Sequence, residues 1–460
     1  MSMLAGLNTA LTALQAHRSG LDVAGQNIAN ANTEGYSRQR VDLRANGGPP
    51  VPGIFSTWQG AGAGVSVTDV VRLRDAFLEG RARAEHSQDA YLSTVNQAYT
   101  SIETVLAEPS DTAVAAQLSD FWAGWHDIAN NPGDWAARVQ VLQRGSLVAD
   151  GLRTAHDAYS SVWNGTRASL DALVVEVNGA AAAVADLNET IRRAQGTGPP
   201  ANELIDQRDV QVMRLAELVG ATAIAREDGT VDVHVNGSTL VAGSSNRSLA
   251  VTGARGLVEQ GTDPVTLRWS DNTSSVVPGG QVAGNLDIVT VILPGQVAAL
   301  DQVASRLADT VNTAHRAGYG LDGATNRPFF TGMTAATISV AVSNPDQVAA
   351  SGSAGGGLGG SNADALAGLA DRSDGADTAY RDMTVGLGLA AQTAARRADI
   401  QSRVTTEVDS ARDAGSGVNL DEEMTSMLAY QRAYEAAARL LTTIDGVLDV
   451  LINRTGLVGR

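Results

Sequence analysis

Six histidines, His17, His86, His126, His156, His234 and His315, are the side chains best suited to acid–base or metal chemistry in this sequence. Their spacing supports neither. No two stand at the separation of metal ligands, and no HExxH occurs. The G-x-S-x-G elbow of a hydrolase is missing, and the absence of cysteine removes thiolate nucleophiles, thiolate zinc sites and disulfides. All 33 basic residues are arginine, so there is no lysine for a Schiff base or a Walker-type phosphate loop. The glycine-rich run "GSAGGGLGG" has no Lys, Ser or Thr in phosphate-loop register and reads as a linker. Aspartate and glutamate fall mainly on helix faces, as a solvated surface would place them. The sequence therefore predicts no catalytic residue, no cofactor, no metal and no enzymatic role.

The elements that could position such groups point elsewhere. A chain of 460 residues is too long for one core and predicts two to four modules. With 43 % hydrophobic and 18 % charged residues it is a folding composition, and with only 4 % aromatics its core must rest on Leu, Val, Ile and Ala. A formal net charge of −17 argues against phosphate backbones and anionic membranes as partners. No run looks long and apolar enough to span a bilayer, and the N-terminus lacks a basic region followed by an unbroken apolar one. Export, if it occurs, is expected by a route without a usual signal peptide.

The most patterned segments stand at the two ends. Leu4, Leu7, Leu11, Leu14, Arg18, Leu21, Gly25 and Ile28 alternate steps of three and four, the spacing of a coiled-coil seam. Ala5, Ala10, Ala13 and Ala16 flank that row and permit close helix approach. Leu420, Met424, Met427, Gln431, Tyr434, Ala438, Leu441, Asp445, Leu448 and Ile452 repeat the alternation. Asn419 is the expected N-cap of this second helix, with Glu422 three residues on as in a capping box. Asp421, Glu422 and Glu423 suit the positive end of its dipole, and Arg454 and Gly456 suit its end. Each helix is roughly 30 residues, about 45 Å, and neither can bury its seam alone. Two partners satisfy the pattern: each other, in an antiparallel pair closing a monomer, or neighbouring copies of the chain.

Between the ends, helical periodicity covers about 72–106, ending at Glu108-Pro109-Ser110. It covers 111–130, where Phe121, Trp122 and Trp125 are expected to pack together. After the turn Asn131-Pro132-Gly133 it runs from about 134 to 195, ended by Pro199-Pro200, and "NELIDQRDVQVMRLAELV" (202–219) is another amphipathic helix. Short Val/Thr/Ile runs between turn signals follow. "DGTVDVHVNGSTLV" predicts a hairpin with turns at Asp228-Gly229 and Asn236-Gly237, and "VTLRWSDNTSSVV" a further strand pair. Helix resumes near 295–317. "NRPFFTG" and "TISVAV" lead to the glycine-rich loop, and a last long helix spans about 375–413. The predicted fold is mainly α with a β-rich insertion, nested so that the two terminal helices pair as a coiled coil. Its expected parts are 1–71, an N-terminal helix and connecting segment; 72–220, a long-helix bundle; 221–292, a β-rich module; 293–414, the rest of the bundle with glycine-rich loop 351–361; and 415–460, the C-terminal helix.

The stretch "NIANANTEGYSRQR" (27–40) resembles the N-terminal signature of bacterial flagellar rod, hook and hook-associated proteins, and "VNLDEEMTSMLAYQRAYEAAARLLTTIDGVLDVLI" (418–452) their C-terminal signature. Within that superfamily, "LSDFWAGWHDIANNPGDWAARVQVL", "ELIDQRD" and the ending "LINRTGLVGR" resemble the hook-associated protein 1 family. Larger members carry an outer domain, and this chain has little room for one beyond 221–292. The resemblance implies a structural subunit of the hook–filament junction, exported unfolded through the flagellar type III apparatus. It implies a secreted, extracellular protein of the flagellum with a transient cytoplasmic pool. The implied partners are copies of itself, the hook protein, the second hook–filament junction protein and a cytoplasmic export chaperone that masks the C-terminal helix; nucleic acid and membrane are not among them. In that role Leu4, Leu7, Leu11, Leu14, Leu21 and Ile28 would form one assembly seam. Leu420, Met424, Met427, Tyr434, Leu441, Leu448 and Ile452 would form the other. Asn27, Asn30, Asn32, Thr33, Gly35 and Tyr36 would hand the first helix over to the bundle. Gly35 would supply positive φ, the short polar residues would satisfy loose backbone groups, and Tyr36 would bury its ring with its hydroxyl paired.

Two other readings compete. A distal rod or hook subunit would share the terminal signatures but be mainly β between them. A secreted enzyme on a flagellar scaffold would carry its activity in 221–292, where His234 is the lone candidate.

Overall fold

The computed structural model describes residues 3–47, 63–106, 110–197, 201–271, 274–355 and 358–454. The expected stops at Glu108-Pro109 and Pro199-Pro200, the Gly456 cap and the side chain of Leu4 lie outside what is described. Helix α1 (Met3–Ala29) leads into strands β1 (Gln39–Ala45) and β2 (Val65–Arg72). These pair antiparallel from Gln39↔Arg72 to Ala45↔Val65, with an irregularity at Asp42/Leu43. Sequence periodicity did not anticipate this pair, whose charged residues blur the alternation. Helices α2 (Ala76–Leu106), α3 (Val114–Asn130), α4 (Trp135–Thr197) and α5 (Asn202–Val219) follow, close to their expected bounds.

The mid-chain strands are β3 (Ala221–Ala225), β4 (Val231–Val235), β5 (Ser238–Ala242) and β6 (Ser245–Asn246), an antiparallel sheet in chain order, then β7 (Leu249–Thr252) paired with β8 (Thr266–Trp269). Asn236 and Gly237 both have positive φ (44° and 79°), as a two-residue hairpin turn requires. Val231, Val233 and Val235 alternate inward. In "VTLRWSDNTSSVV" the two arms pair only briefly, through Trp269 N to the Ser274 carbonyl (3.0 Å) and Val276 N to the Leu267 carbonyl (2.8 Å). Its first strand is β8, which pairs with β7, and only a single bridge joins Arg268 to Ser275.

Strand structure also ends sooner than 292. Helix α6 (Gly280–Asp287), a π-helical turn (Ile288–Ile292) and α7 (Leu293–Ala317) form one nearly continuous rod. The run "DIVTVIL" looks like a strand because it is β-branched. It is helical because Val282, Ile288, Val289 and Leu293 are buried within the bundle. Strands β9 (Phe330–Thr331) and β10 (Ser339–Val340), α8 (Ser361–Ala367), α9 (Ala376–Ser416) and α10 (Leu420–Asp449), with a π-helical turn to Arg454, complete the chain.

The nesting is realised: α1 lies beside α10, and α2 beside α9. The core sits in the bundle. Val141, Val148, Leu152, Tyr159, Trp163, Leu170, Val177 and Val184 form one buried stripe of α4. At one end Phe121 and Trp125 meet Phe329, Phe330 and His315 with ring centroids 5.4–6.2 Å apart. Two asparagines of α4 fasten the β module. Asn188 Nδ2 donates to the Val231 and Gly243 carbonyls (2.8 and 2.7 Å), and Asn178 exchanges two bonds with the Leu249 backbone (2.9 and 2.8 Å).

One expectation is corrected. Two helical stretches, Trp135–Thr197 and Gly280–Ala317, do reach the length and hydropathy of a bilayer span. Both supply buried residues to the core just described, among them Val148, Val177, Val289 and Leu300.

Candidate functional site

The signature residues at the two ends of the chain meet in one place. Helix α1 stops where the sequence turns from Ala/Leu to Asn and Gly. Asn30 Nδ2 donates back to the Gln26 carbonyl (3.0 Å), and Thr33 Oγ1 donates to Asn30 Oδ1 (3.2 Å). The amides of Thr33 and Tyr36 close two successive turns on the Asn30 and Thr33 carbonyls (2.9 and 3.1 Å). Gly35 has φ +75°, and a Cβ there would overlap the Val210 side chain of α5. That position therefore needs glycine twice over, for its conformation and for its close approach. Asn32 is exposed and stands outside this bonding.

Asn27, fully buried, is the centre. Its Nδ2 donates to the Gln39 carbonyl (2.9 Å) and to Glu423 Oε2 (3.0 Å). Its Oδ1 accepts from the Tyr36 hydroxyl and from the Gln39 amide, both 2.9 Å. All four hydrogen-bonding capacities of the amide are used. Burial, then the charges of Asp206, Glu203 and Glu423, push the Tyr36 hydroxyl up to about 12, so it remains a donor at physiological pH.

Around this amide the charges are paired across long sequence distances. Arg38 gives Nε to Glu423 Oε1 and Nη1 to Glu422 Oε2, each 2.7 Å. Ser37 bonds Asp206 of α5 through its amide and hydroxyl (3.1 and 2.8 Å). Arg72 reaches Asp206 and Asp209 (2.6 and 3.0 Å), and Arg74 pairs with Asp209. Asn202 Nδ2 donates to Gln39 Oε1 and the Val70 carbonyl (3.1 and 2.7 Å). Arg208 continues the chain of contacts to the Gly229 carbonyl at the edge of the β module (2.7 Å). One continuous network thus joins α1, the β1–β2 pair, α5, α10 and the sheet. Chemically it is a fastening: its acids face its bases, although Gln39 Nε2, Arg74 Nε and Arg208 Nε are buried without a hydrogen bond.

Sequence reasoning places Asn27, Asn30, Thr33, Gly35 and Tyr36 here, but it assigns no role to Ser37, Arg38, Gln39, Arg72, Asn202, Asp206 or Asp209, and gives Glu423 only the helix dipole. Opposite charge was the available signal. Arg38 lies in one terminal signature, and Glu422 and Glu423 lie in the other. Those glutamates were read only against the helix dipole. Asn419 does cap α10, accepting from the Asp421 and Glu422 amides (3.0 and 3.4 Å), but the Glu422 carboxylate is engaged by Arg38.

The apolar rows are displaced from their expected place. Small residues of α1 are buried, namely Ala10, Ala16, Gly20 and Ala24, and Gly6 and Gly20 stand close against Ile444 and Tyr430 of α10. Leu7, Leu14, Leu21 and Ile28 are only half-buried, and Leu11 is 45 % exposed. On α10, Met427, Leu441 and Leu448 are half-buried, whereas Leu420, Met424, Tyr434 and Ile452 are exposed. Alanine and glycine let the two axes come close, which moves the leucines to the flanks.

Other chemistry is sparse. Among the described residues no group of three or more His, Asp or Glu is placed to hold a metal ion. His234 lies on β4, and its Nδ1 has no hydrogen-bond partner. His315 is a core residue, donating from Nδ1 to the Arg327 carbonyl (2.8 Å) and accepting at Nε2 from the Ala349 amide (3.0 Å). His86 stands between two carboxylates, with Glu217 3.3 Å from Nδ1 and Asp409 3.0 Å from Nε2.

Comparison with known proteins agrees along the chain. Residues 99–330 match the model of the flagellar hook-associated protein FlgK helical domain. Residues 411–454 match the flagellar basal body rod FlgEFG protein C-terminal model, and residues 7–36 the flagella basal body rod protein model. Flagellar hook-associated protein 1 of Bacillus subtilis (strain 168) is 30% identical over 512 residues, covering 100% of both chains. The Escherichia coli (strain K12) protein of the same name is 29% identical over 337 residues, 70% of this chain and 59% of that one. The solved flagellar hook junction protein FlgK from Burkholderia pseudomallei shares the fold, with a TM-score of 0.65 over 73% of this chain and 99% of that one at 16% identity.

Proposed function

Since the chain belongs to the flagellar hook-associated protein 1 family, we propose that it is a non-enzymatic building block of the junction between hook and filament. It is a structural component of the flagellum. The finer reading is that it is exported by the type III route and assembles through its paired terminal helices. The observation that carries this is the network around Asn27. It ties both terminal helices to α5 and the β module, so force or register passed along the helices reaches the whole subunit. The flanking rows support an assembly role as well. Leu7, Leu11, Leu14, Leu21 and Ile28 on α1, and Leu420, Met424, Tyr434 and Ile452 on α10, leave apolar surface that a lone subunit does not bury.

In this reading the partners are copies of the chain, the hook protein below and the second junction protein above. Before export, a cytoplasmic chaperone covers the exposed row of α10. A rod or hook subunit is disfavoured by the helical bundle between the termini, and an enzyme on a flagellar scaffold by the unassisted His234.

Deleting the gene and imaging cells by electron microscopy tests the placement. Bare hooks with flagellin released into the medium are expected. Cells without hooks would make the protein a rod or hook subunit, and normal filaments would remove it from the junction.

A further inference from the structure

We infer that Asn27, Glu423 and Arg38 form a register lock for the terminal pair, and that without it α1 and α10 slide past each other by whole heptads. The inference concerns the pair itself and holds or fails independently of where the protein sits in the flagellum.

The contacts between the two helices recur every seven residues. Asn27 bonds Glu423. A Cβ on Gly20 would lie 2.7 Å from the Tyr430 ring, and one on Gly6 3.2 Å from Ile444 Cδ1. Each step of seven toward the start of α1 is matched by seven toward the end of α10, so the pair is antiparallel with one fixed offset. That offset places Ala13 opposite the buried Ala437.

An interface of Gly, Ala and flanking leucines looks alike from one heptad to the next. A shift of seven residues, about 10 Å along the axis, brings Ala437 to Gly6 and Tyr430 to Ala13, where the ring must turn aside for a Cβ, since one on the equivalent Gly20 would lie 2.7 Å from it. Apart from that one ring, burial of apolar area tells these alignments apart only weakly, because the pattern has the period of the shift.

The polar end does tell them apart. Asn27 is 0% exposed and Glu423 3% exposed. In the observed alignment Asn27 uses both of its donors and both acceptor sites, and each oxygen of Glu423 takes a charged or amide donor. Any heptad slip buries a carboxylate and an amide without their partners, which is heavily penalised. Arg38 also donates its backbone amide to the Ser416 carbonyl (3.0 Å), and Ser37 is held by Asp206, so the alignment is fixed relative to the bundle.

The chain has no cysteine, which makes disulfide trapping clean. The full-length protein is oxidised at high dilution with one of two engineered pairs. Ala13→Cys/Ala437→Cys reports the observed alignment, and Gly6→Cys/Ala437→Cys reports a slip of one heptad, since a bridge needs close Cα atoms. With the lock intact, the first pair should bridge at least about tenfold more than the second. Adding Asn27→Leu/Glu423→Leu should bring the two yields to within about threefold. Glu423→Gln keeps an acceptor for Asn27 Nδ2 but sets its own amide donor against Arg38 Nε, so it should relax the preference about as far as Arg38→Gln does. The buried bundle tryptophans Trp122, Trp125 and Trp163 lie outside α1 and α10, so their fluorescence reports whether the bundle is intact. If the double variant loses the bundle, Arg38→Gln, which leaves the Asn27–Glu423 bond, should raise the slipped yield several-fold. An unchanged ratio in the folded lock variants overturns the inference. So does a parent chain that forms neither bridge.

Discussion

The bundle and the terminal pair are both built of long helices, yet they hold together differently. Helix α4 buries twenty of its 63 residues, among them Trp163, Tyr159 and Val148. Helix α10 buries two of its 30, Glu423 and Ala437. The bundle is stabilised by burial of large side chains from many elements. The terminal pair has a narrow contact of small residues and one buried polar lock at its foot. A region of the first kind is self-sufficient. A region of the second kind is specified by geometry and leaves apolar surface exposed, among it Leu11, Met424 and Tyr434.

The contrast predicts where each perturbation is felt. The largest effect belongs to the bundle. Trp163 is fully buried and its Nε1 donates to the Val289 carbonyl (2.9 Å). Trp163→Ala should cost about 3–5 kcal/mol, read as a lower guanidinium midpoint. A loss below about 1 kcal/mol would mean the core is not where stability resides.

Next comes acid. Burial, more than any neighbouring charge, lowers the His315 imidazole from its ordinary value to about 4. Its neutral form is the folded one, so the contribution is complete above about 6.5 and declines as pH falls toward 4. The full loss is on the order of 3 kcal/mol. Denaturation curves at pH 7 and pH 4.5 should separate in the parent and approach each other in His315→Gln. Equal separation in both would assign the acid sensitivity to other groups.

The third test breaks the pair and spares the bundle. Gly20→Val places methyl groups where the Tyr430 ring lies, at a cost of about 1–3 kcal/mol. Amide exchange should quicken in α1 and α10, with the bundle's midpoint unchanged. Coupled loss of both would make the two regions one cooperative unit.

The smallest effect links them. His86 is raised above its ordinary value chiefly by its hydrogen bond to Glu217; burial opposes this, and Asp409 adds to it. Its charged form is the bonded one, so the contribution is full below about 6.5 and is lost as pH rises through the higher folded value. These half-exposed groups should change stability by about 1 kcal/mol or less. Titration of the His86 ring by NMR checks the direction, and an apparent value below 6.5 would contradict it. Because Asp409 lies on α9 shortly before α10, alkaline exchange should quicken first in that segment.

Much of this protein was written locally. The 63-residue α4 follows from its apolar period, its opening turn at Asn131-Pro132-Gly133 and its alanine content. The β4–β5 hairpin follows from Asn236-Gly237, and the start of α10 from Asn419. Each is decided by residues within a few positions of one another, because backbone preferences, caps and turns act at that range. The terminal signatures were legible too, as words without a grammar. What only the tertiary structure decided is which faces meet. Periodicity marks both the leucine row and the alanine–glycine row of α1, and hydropathy alone would bury the leucines. Close packing against Tyr430 chose the small residues instead. The convergence of Asn27, Arg38, Asp206 and Glu423 was likewise hidden. Their partnerships span up to 396 residues, and electrostatic complementarity has no sequence period by which to recognise it.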